Sequence, residues 1–320
     1  MKFPDCNIYR LFTSFISEKL KIAKAIDTVC RESGFFYIQG HPISRERLQE
    51  MHDLSRAFFA LPEAEKIKID IALSANHRGY GKMKAEQLDP ERPGDIKETF
   101  DMGLNLPPDH PLIGANRPLY GPNQYPQRPV GFQQKMERHY RDMLELGKTV
   151  LSALALALEI DKDFFANKFE HPLSVLRFIH YPEVAMDNGE KHHGADAHTD
   201  YGCITILWQD ETGGLQVQDT NGEWIDAPPI ENAFVINIGN MMARWSNDRY
   251  KSTAHRVFSP CGQERYSMPF FVEPDFDTRI SCLENCCAPG EAPRYEPISA
   301  GDWMIYCFNK TYAYRTEETA

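Results

Sequence analysis

The chain contains no long apolar run, no paired cysteine motif and no excess of positive charge. None of its apolar stretches approaches the roughly 18 residues that a membrane-spanning helix needs, and its first residues do not resemble a signal peptide. Lys and Arg number 35 against 46 Asp and Glu, which gives a formal net charge of −11. Because nucleic acids and anionic membranes are bound by concentrated Lys and Arg, we expect neither as a partner.

Cysteine is also sparse, since the 320 residues contain 8, too few for a disulfide scaffold. The densest group is Cys282, Cys286 and Cys287, whose spacing fits neither a zinc ribbon nor a redox pair. We interpret the cysteines as reduced thiols in or near a core, and we therefore expect a cytoplasmic protein.

The first part of the chain has the pattern of helices around one strand. Apolar residues recur at helical spacing from Leu20 to Cys30, and residues 35–38 form a short apolar run that is typical of a strand. Ser44 is a suitable N-cap for a second helix. Residues 76–129 are rich in Gly and Pro and predict a long loop, which in a compact domain usually covers or lines a functional site.

The clearest helix is predicted over residues 132–158, where apolar side chains follow the helical period for roughly seven turns. Gly147 falls on the apolar face, at a position where a large side chain would be expected. We interpret this glycine as a point where another element packs closely. Because the apolar face is broad, we expect this scaffold helix to pack on a sheet.

After about residue 172 the apolar period changes to two, which is typical of strands. Seven or more short strands separated by Gly, Pro, Asn and Asp predict an antiparallel sandwich or barrel. The predicted strands are residues 174–181, 203–208, 215–218, 234–238, 255–258, 266–272 and 303–308. We divide the chain into an N-terminal helical and loop region, 1–128, and a scaffold helix with β core, 129–320, which form one compact body.

The decisive segment for function is His198-Thr199-Asp200, which leads into the predicted strand at residues 203–208. Because side chains alternate on an extended chain, His198 and Asp200 project to the same side and could bind one metal ion. His255, at the head of a later predicted strand, supplies a second imidazole. Two His and one carboxylate with open positions form the facial triad of non-haem Fe(II) oxygenases. The H-x-D motif and a single histidine each often occur by chance. The interpretation therefore depends on the ordered combination of these residues on predicted strands.

A second pair of side chains, Arg265 and Ser267, shares one face of the strand that follows. A guanidinium beside a hydroxyl on a barrel wall forms a pocket for a carboxylate, which Arg can bind through two nitrogens. Arg265 alone would be interpreted as a surface ion-pair residue. Together with the metal ligands it predicts a carboxylate-binding site.

These motifs resemble the isopenicillin N synthase-like family of Fe(II)/2-oxoglutarate-dependent oxygenases, and the resemblance extends over nearly the whole chain. Besides the H-x-D, His and R-x-S residues, segments from both halves of the chain match the family pattern. They are residues 34–38 with His41, 78–80, 97–101, 121–124, 213–217, 237–239, 255–257 and 265–271.

The resemblance implies a mainly β fold with helices, in which a double-stranded β-helix (jelly-roll) barrel is flanked by an N-terminal helical region and a long scaffold helix. It implies that His198, Asp200 and His255 bind Fe(II), while Arg265 and Ser267 hold the distal carboxylate of 2-oxoglutarate. The expected enzyme is a dioxygenase that uses O2 to oxidise a small molecule, in most relatives by hydroxylation, and releases succinate and CO2. The carboxylate at Asp200 argues against the halogenating branch, whose members have a small residue there.

Two alternatives stay open at this point. A minority of the family, including isopenicillin N synthase itself, uses no 2-oxoglutarate, and a substrate carboxylate can then occupy the pocket at Arg265 and Ser267. The other alternative is a metal-stabilised barrel that only binds a ligand, and the intact triad and carboxylate pocket argue against it. The oligomeric state is open as well, with a monomer as the expectation.

Two regions depart from the family pattern. Where many relatives have Asn-x-Tyr, this chain has Ile179 and retains only Tyr181, whose hydroxyl could still reach the co-substrate. A tyrosine in the barrel core is the alternative for Tyr181. His192, His193 and Asp196 suggest a second metal site, but we interpret them as a solvated loop at the barrel mouth.

The identity of the substrate cannot be predicted from these motifs. We expect the pocket walls to come from residues 76–83, 180–196 and 268–272 and from the C-terminal end. The side chains that would face the substrate are Arg78, Tyr80, Tyr181 and Phe271, which suit a small polar or amphipathic molecule. The C-terminus at Ala320 is short for the family, so we expect a reduced tail over the substrate.

Overall fold

The secondary structure is taken from a computed structural model, which describes residues 5–7, 16–88, 94–114, 117–183, 193–258 and 262–312. The strands are β1 (Asp5–Asn7), β2 (Phe35–Gln39), β3 (Gly79–Gly81), β4 (Glu98–Met102), β5 (Val175–Tyr181), β6 (His193–His198), β7 (Ile204–Gln209), β8 (Leu215–Gln218), β9 (Trp224–Asp226), β10 (Phe234–Ile238), β11 (His255–Phe258), β12 (Arg265–Val272), β13 (Arg279–Ile280) and β14 (Ile298–Ser299). The helices are α1 (Ile16–Glu32), α2 (Arg45–Phe59), α3 (Glu63–Lys66), α4 (Phe132–Ala157), α5 (Asn240–Trp245) and α6 (Ala300–Thr311).

Two sheets form the body of the protein. The large sheet has eight strands in the order β1-β2-β10-β7-β12-β5-β4-β3, and the small sheet has four in the order β6-β11-β8-β9. Every pairing in these sheets is antiparallel except that of β1 with β2. The architecture is the mainly antiparallel double-stranded β-helix with added helices that the family resemblance implies.

Strand β10 of the large sheet carries buried apolar side chains on both of its faces. Along β10, Phe234, Ile236 and Ile238 point outward into the core shared with the helices. Between them, Val235 points inward and packs with side chains from the small sheet, such as Val257. Because alternate residues face opposite sides of a strand, β10 supplies the outer core with one set of side chains and the barrel interior with the other.

The scaffold helix α4 packs on the outer face of the large sheet, as predicted. Its Tyr140 ring meets Phe270 on β12 with ring centroids 5.4 Å apart. A Cβ atom added at Gly147 would lie 3.1 Å from Cγ2 of Val272, which is tighter than an ordinary contact. Gly147 therefore allows α4 to approach β12 closely, and Leu154, one of the predicted apolar-face residues, is fully buried.

The prediction of a strand at residues 303–308 is wrong, because these residues belong to α6. The helix begins after Ser299, whose side chain accepts a hydrogen bond from the backbone N–H of Asp302. The run is rich in aromatic and β-branched residues, which favours a strand locally. In the folded chain, Met304 and Phe308 lie four residues apart on the helix face that covers the barrel cavity.

The long loop predicted at residues 76–129 is also only partly correct, because it contains β3 and β4. These strands extend the large sheet beyond β5, and β4 pairs with β5 over five residues. The small-sheet strands β6 and β9 are likewise absent from the prediction. The three-residue strands β3 and β9 carry too few alternations for the pattern to be visible in sequence, and pairing with a neighbour defines them.

The N-terminal region and the barrel share one sheet, since β1 to β4 are all strands of the large sheet. The boundary between residues 128 and 129 stays a prediction. Within the described ranges, no helix has both the length and the apolar character needed to cross a membrane.

Candidate active site

His198, Asp200 and His255 come together where the two sheets meet. His198 is the last residue of β6 and lies opposite His255, the first residue of β11. The prediction placed His198 at the entrance to the strand at 203–208, whereas the structure places it at the end of β6. One ligand atom from each of the three residues lies within 4.8 Å of the other two. Asp200 Oδ1 is 3.7 Å from His198 Nε2 and 3.6 Å from His255 Nε2.

Both imidazoles are held with Nε2 toward the centre of this group. His198 Nδ1 lies 2.7 Å from the Asp196 carbonyl oxygen, and His255 Nδ1 lies 3.3 Å from the Thr253 carbonyl oxygen. A carbonyl oxygen can only accept, so each Nδ1 carries the proton and each Nε2 keeps its lone pair. Burial, followed by the neighbouring His255, lowers the pKa of His198 to about 4, so this imidazole is neutral at neutral pH.

The carboxylate of Asp200 is held by two donors that sequence reasoning missed. Its Oδ2 accepts a hydrogen bond from Asn237 Nδ2 at 2.7 Å and another from the Thr205 hydroxyl. Burial alone would raise the pKa of Asp200, but the two imidazoles and these hydrogen bonds outweigh burial and lower it. Asn237 belongs to a family-type motif, and its inward position on β10 is the signal that could have revealed its contact. Two imidazole nitrogens and one ionised carboxylate oxygen fit the ligand preference of Fe(II).

Arg265 and Ser267 lie together on β12, as the alternation predicts, with both side chains buried in the barrel. Arg265 Nη1 donates to the Ser267 hydroxyl at 3.2 Å, and Nε donates to the Gly213 carbonyl oxygen at 2.5 Å. Gln209, which sequence reasoning did not select, accepts from Nη2 at 3.1 Å. Each terminal nitrogen carries two hydrogens and uses one in these contacts, so the outer edge of the guanidinium can still bind a carboxylate.

Tyr181 lies beside this pair and also belongs to the apolar cluster inside the barrel. It is directly opposite Arg265 in the antiparallel pairing of β5 with β12. Its ring lies 4.8 Å from the guanidinium carbon of Arg265, which is within the range of a cation–π contact. Tyr181 is buried and lines the same cavity as the metal-type triad.

One cavity of about 110 Å³ connects the triad to the Arg265 pocket, which is space for a small molecule rather than a polymer. Its walls come from both sheets and from α6, so the C-terminal helix contributes to the site. Of the expected wall residues, Tyr181 and Phe271 line the cavity, whereas Arg78 and Tyr80 are not among its lining residues. The Tyr80 hydroxyl instead donates to Glu98 at 2.7 Å.

A buried ionic cluster forms another part of the cavity wall. Lys97 bridges Glu86 and Asp95 with 2.7 Å contacts to each. Arg177 binds Asp101 through two 2.7 Å hydrogen bonds and also contacts Glu86 at 3.1 Å. Burial alone would lower the pKa of Lys97, but Glu86 and Asp95 outweigh burial and raise it. The cluster also includes Tyr312, whose hydroxyl donates to Glu86 and accepts from Arg177.

The interpretation of His193 and Asp196 as part of a solvated loop is wrong, because both belong to strand β6 and Asp196 is buried. His192 lies outside the described residues. In the part of the chain that the structure describes, His198, Asp200 and His255 are the one group of three metal-type ligands. Among the described residues, Asp196 is therefore not part of a second group of metal-type ligands.

Known proteins resemble this chain along both of its regions. Residues 8–128 match the family described as non-haem dioxygenase in morphine synthesis N-terminal, and residues 171–274 match the 2OG-Fe(II) oxygenase superfamily. The chain is 40% identical over 308 residues to the 2-oxoglutarate-Fe(II) type oxidoreductase hxnY of Emericella nidulans, with 93% of this chain and 88% of that protein covered. It is 37% identical over 272 residues to a homoarginine-6-hydroxylase of Glycine max, with 83% and 81% covered.

A solved structure shows the same arrangement of the whole chain. It is the crystal structure of a full-length Neurospora crassa protein in complex with alpha-KG and thymine, which matches with a TM-score of 0.84 at 31% identity over 96% of each chain. The co-substrate in that complex is 2-oxoglutarate, and the relatives above carry the same co-substrate or a hydroxylase activity in their names. The chain therefore belongs to the 2OG-Fe(II) oxygenase superfamily, and it is a non-haem oxygenase that depends on Fe(II) and 2-oxoglutarate.

Proposed function

We propose that His198, Asp200 and His255 hold the Fe(II) of this oxygenase. The observation that carries this assignment is the convergence of two Nε2 atoms and Asp200 Oδ1, while Asp200 Oδ2 is occupied by hydrogen bonds. A neutral imidazole and an ionised carboxylate need no proton removal before they bind a metal. Three protein ligands leave open positions for a co-substrate and O2.

Arg265 and Ser267 bind the distal carboxylate of 2-oxoglutarate in this proposal, and Tyr181 completes the same pocket. The support is the fixed guanidinium, whose outer edge faces the cavity that also contains the triad. Tyr181→Phe separates the two possible contributions of the tyrosine, because it keeps the ring over Arg265 and removes only the hydroxyl. A hydroxyl contact predicts several-fold weaker 2-oxoglutarate binding in this variant, and unchanged binding restricts Tyr181 to packing.

Bound Fe(II) with 2-oxoglutarate supplies the O2-dependent oxidative decarboxylation that yields succinate and CO2 and delivers oxidising power to a nearby C–H bond. The residues of this chain orient that chemistry. Asn237 and Thr205 hold the Asp200 carboxylate, and Gly213 and Gln209 hold the Arg265 guanidinium. Met304 and Phe308 of α6 give the cavity an apolar wall.

The substrate in this proposal is a small molecule that occupies the rest of the cavity and is hydroxylated there. The size of the cavity and the thymine bound in the Neurospora crassa structure support this class. The test is a screen of small molecules with purified protein, Fe(II) and 2-oxoglutarate, in which succinate is quantified and products are examined by mass spectrometry. Hydroxylation predicts succinate and product in equal amounts, with one oxygen atom added to the product. Product formation without succinate would instead support the oxidase alternative.

We also propose a cytoplasmic monomer that binds neither nucleic acid nor membranes. The net charge of −11 supports the absence of these partners. The described cysteines are free thiols, which supports a reducing compartment. Size-exclusion chromatography with light scattering tests the monomer, and a mass of two chains would contradict it.

A further inference from the structure

The cavity has two chemically different regions, one at each end of β12. Both are lined by the side chains of β12 that alternate toward the barrel interior. Arg265 and Ser267 face the cavity at the start of the strand, Phe271 faces it near the end, and Glu273 lines it just beyond β12. On the neighbouring strand, Val175 is paired with Phe271 and Tyr181 with Arg265. The region around Phe271 and Glu273 is therefore separated along the strands from the proposed 2-oxoglutarate pocket.

The cations near this second region are already neutralised. Lys97 contacts both Glu86 and Asp95, and Arg177 contacts both Asp101 and Glu86. An anionic group of a substrate placed here would compete with carboxylates that already hold these cations. Among the described lining residues of this region, no cation remains without a carboxylate partner. The region is therefore unsuited to a substrate carboxylate or phosphate.

Glu273 is the exception among the acidic residues of this wall. Its side chain is 3% exposed and lines the cavity, yet no described group donates a hydrogen bond to either of its carboxyl oxygens. Only its backbone is engaged, through the hydroxyl of Ser174. Arg78 lies in the neighbourhood and attracts it, but the two side chains form no ion pair. A buried carboxyl without a partner is unfavourable unless a ligand completes its hydrogen bonds.

The protonation state of Glu273 decides which ligand chemistry it can complement. Burial is the main cause that raises its pKa to about 8, and Asp200 adds to the effect while Arg78 opposes it. Burial therefore favours the neutral carboxylic acid, which has one O–H donor and one carbonyl acceptor. Such a group pairs with a molecular edge that has an acceptor beside a donor. Phe271 and Phe308 provide flat apolar contacts in the same cavity.

We propose that Glu273 is a substrate-binding residue and that the substrate is an uncharged planar molecule with a cyclic-amide-type edge, which pairs with the Glu273 carboxyl. The apolar part of this substrate contacts Phe271, Met304 and Phe308. This assignment rests on the proposed function, because it places the substrate in the same cavity as the triad. It names a class of substrate and a residue that determines specificity for it.

The experiment uses the anaerobic holoenzyme with Fe(II) and 2-oxoglutarate, so that binding is measured without turnover. Three probes of similar size are titrated by calorimetry: 2-pyridone as the neutral cyclic amide, benzoate as an anion and benzylamine as a cation. We expect 2-pyridone to bind at least about tenfold more tightly than either charged probe. Glu273→Leu should weaken the binding of 2-pyridone at least about tenfold, whereas Glu273→Gln, which keeps a donor and an acceptor, should bind it about as tightly as wild type. The exposed Glu223→Gln is the matched control.

Each alternative outcome overturns the proposal. Tighter binding of benzoate would require a free cation, and tighter binding of benzylamine would require an ionised Glu273. No binding of 2-pyridone to wild type, or an unchanged 2-pyridone affinity in Glu273→Leu, would remove Glu273 from the substrate site. The 2-oxoglutarate affinity of each variant is measured in parallel, and it should be unchanged in both Glu273 variants. If wild type binds no 2-oxoglutarate, the proposed function fails, and the probe titrations repeated without 2-oxoglutarate still test Glu273.

Discussion

Tyr181 stands directly opposite Arg265 across the antiparallel β5–β12 pair, and its ring lies 4.8 Å from the guanidinium carbon. The guanidinium is therefore held by an aromatic ring, by the Gly213 carbonyl oxygen and by the side chain of Gln209. Arg265 is 1% exposed, so few alternative rotamers are open to it. Its outer edge is oriented before a carboxylate arrives, which reduces the entropy that binding has to overcome.

This arrangement predicts the effect of changing the cation. Charge-assisted hydrogen bonds contribute about 1.5–3 kcal/mol each, so Arg265→Ala should weaken 2-oxoglutarate binding at least about tenfold. The 2-oxoglutarate affinity of Arg265→Lys should lie between those of wild type and Arg265→Ala, because Lys keeps the charge but lacks the planar pair of donors. The measurement is the dissociation constant of 2-oxoglutarate, with the exposed Arg279→Ala as control. Equal affinity in wild type and Arg265→Ala would exclude this residue from the pocket.

Loss of any one of the three metal ligands should abolish the activity completely. Removal of one of three protein ligands should abolish turnover, so His198→Ala, Asp200→Ala and His255→Ala should each be inactive. Circular dichroism should remain that of wild type, since the ligands lie at the cavity and contribute little to the helix core. Retained activity in any two of the three variants would contradict the assignment.

The donors to Asp200 predict a smaller effect on metal affinity. Asn237→Ala and Thr205→Val each remove one hydrogen bond from Asp200 Oδ2 and free the carboxylate to rotate. Changes of this kind typically weaken metal binding about 10- to 100-fold. Competition with a fluorescent chelator measures the Fe(II) affinity of the protein. The exposed Asn221→Ala serves as control, and wild-type affinity in both site variants would argue that these contacts do not orient the carboxylate.

The packing of α4 predicts a large loss of stability. Leu154 is fully buried in the core between α4 and the large sheet, and Leu154→Asp would place a carboxylate there without a partner. The penalty of several kcal/mol is comparable to a total stability of roughly 5–15 kcal/mol, so the variant should be largely unfolded. Arg141→Asp on the exposed face of the same helix is the control. A wild-type melting temperature for Leu154→Asp would mean that α4 is not a scaffold.

Because His139 on α4 is buried, the free energy of unfolding should depend on pH. Burial lowers its pKa to about 3 from an ordinary value of 6.5, and its Nδ1 has no hydrogen-bond partner. The unfolded chain therefore binds a proton that the folded chain does not bind between about pH 6.5 and pH 3. Because of this difference, stability should fall with decreasing pH in that window by up to about 1.4 kcal/mol per unit.

The matching variant is His139→Met, which is apolar and does not titrate. Its free energy of unfolding, measured by urea denaturation from pH 7 to pH 4.5, should decrease less steeply than that of wild type. His110→Gln, at a partly exposed histidine, controls for the loss of a histidine as such. Parallel pH curves for wild type and His139→Met would show that His139 accepts its proton in the folded state.

Several features of the protein follow from local patterns in its sequence. The period of α4, the N-cap at Ser44 and the alternation on β12 depend on neighbouring residues, and each is where the pattern predicts it. Local spacing also places Arg265 with Ser267, because residues two positions apart on an extended strand share a side. Asp200 follows His198 by two residues just beyond the end of β6, so the short spacing keeps these two side chains near each other. These short-range relations are physical constraints of the backbone and need no knowledge of the fold.

Other features depend on contacts between residues that are distant in sequence. The aromatic run at residues 303–308 favours a strand locally, yet it forms α6, where two of its side chains cover the cavity. Asn237 contacts Asp200 only because β10 lies beside β7 in the large sheet. Glutamate is usually found on protein surfaces. Glu273 becomes a buried carboxyl without a hydrogen-bond partner only because the barrel closes around it. Burial and hydrogen bonding are set by the whole structure, so the chemistry of these side chains could not be read from their neighbours in the chain.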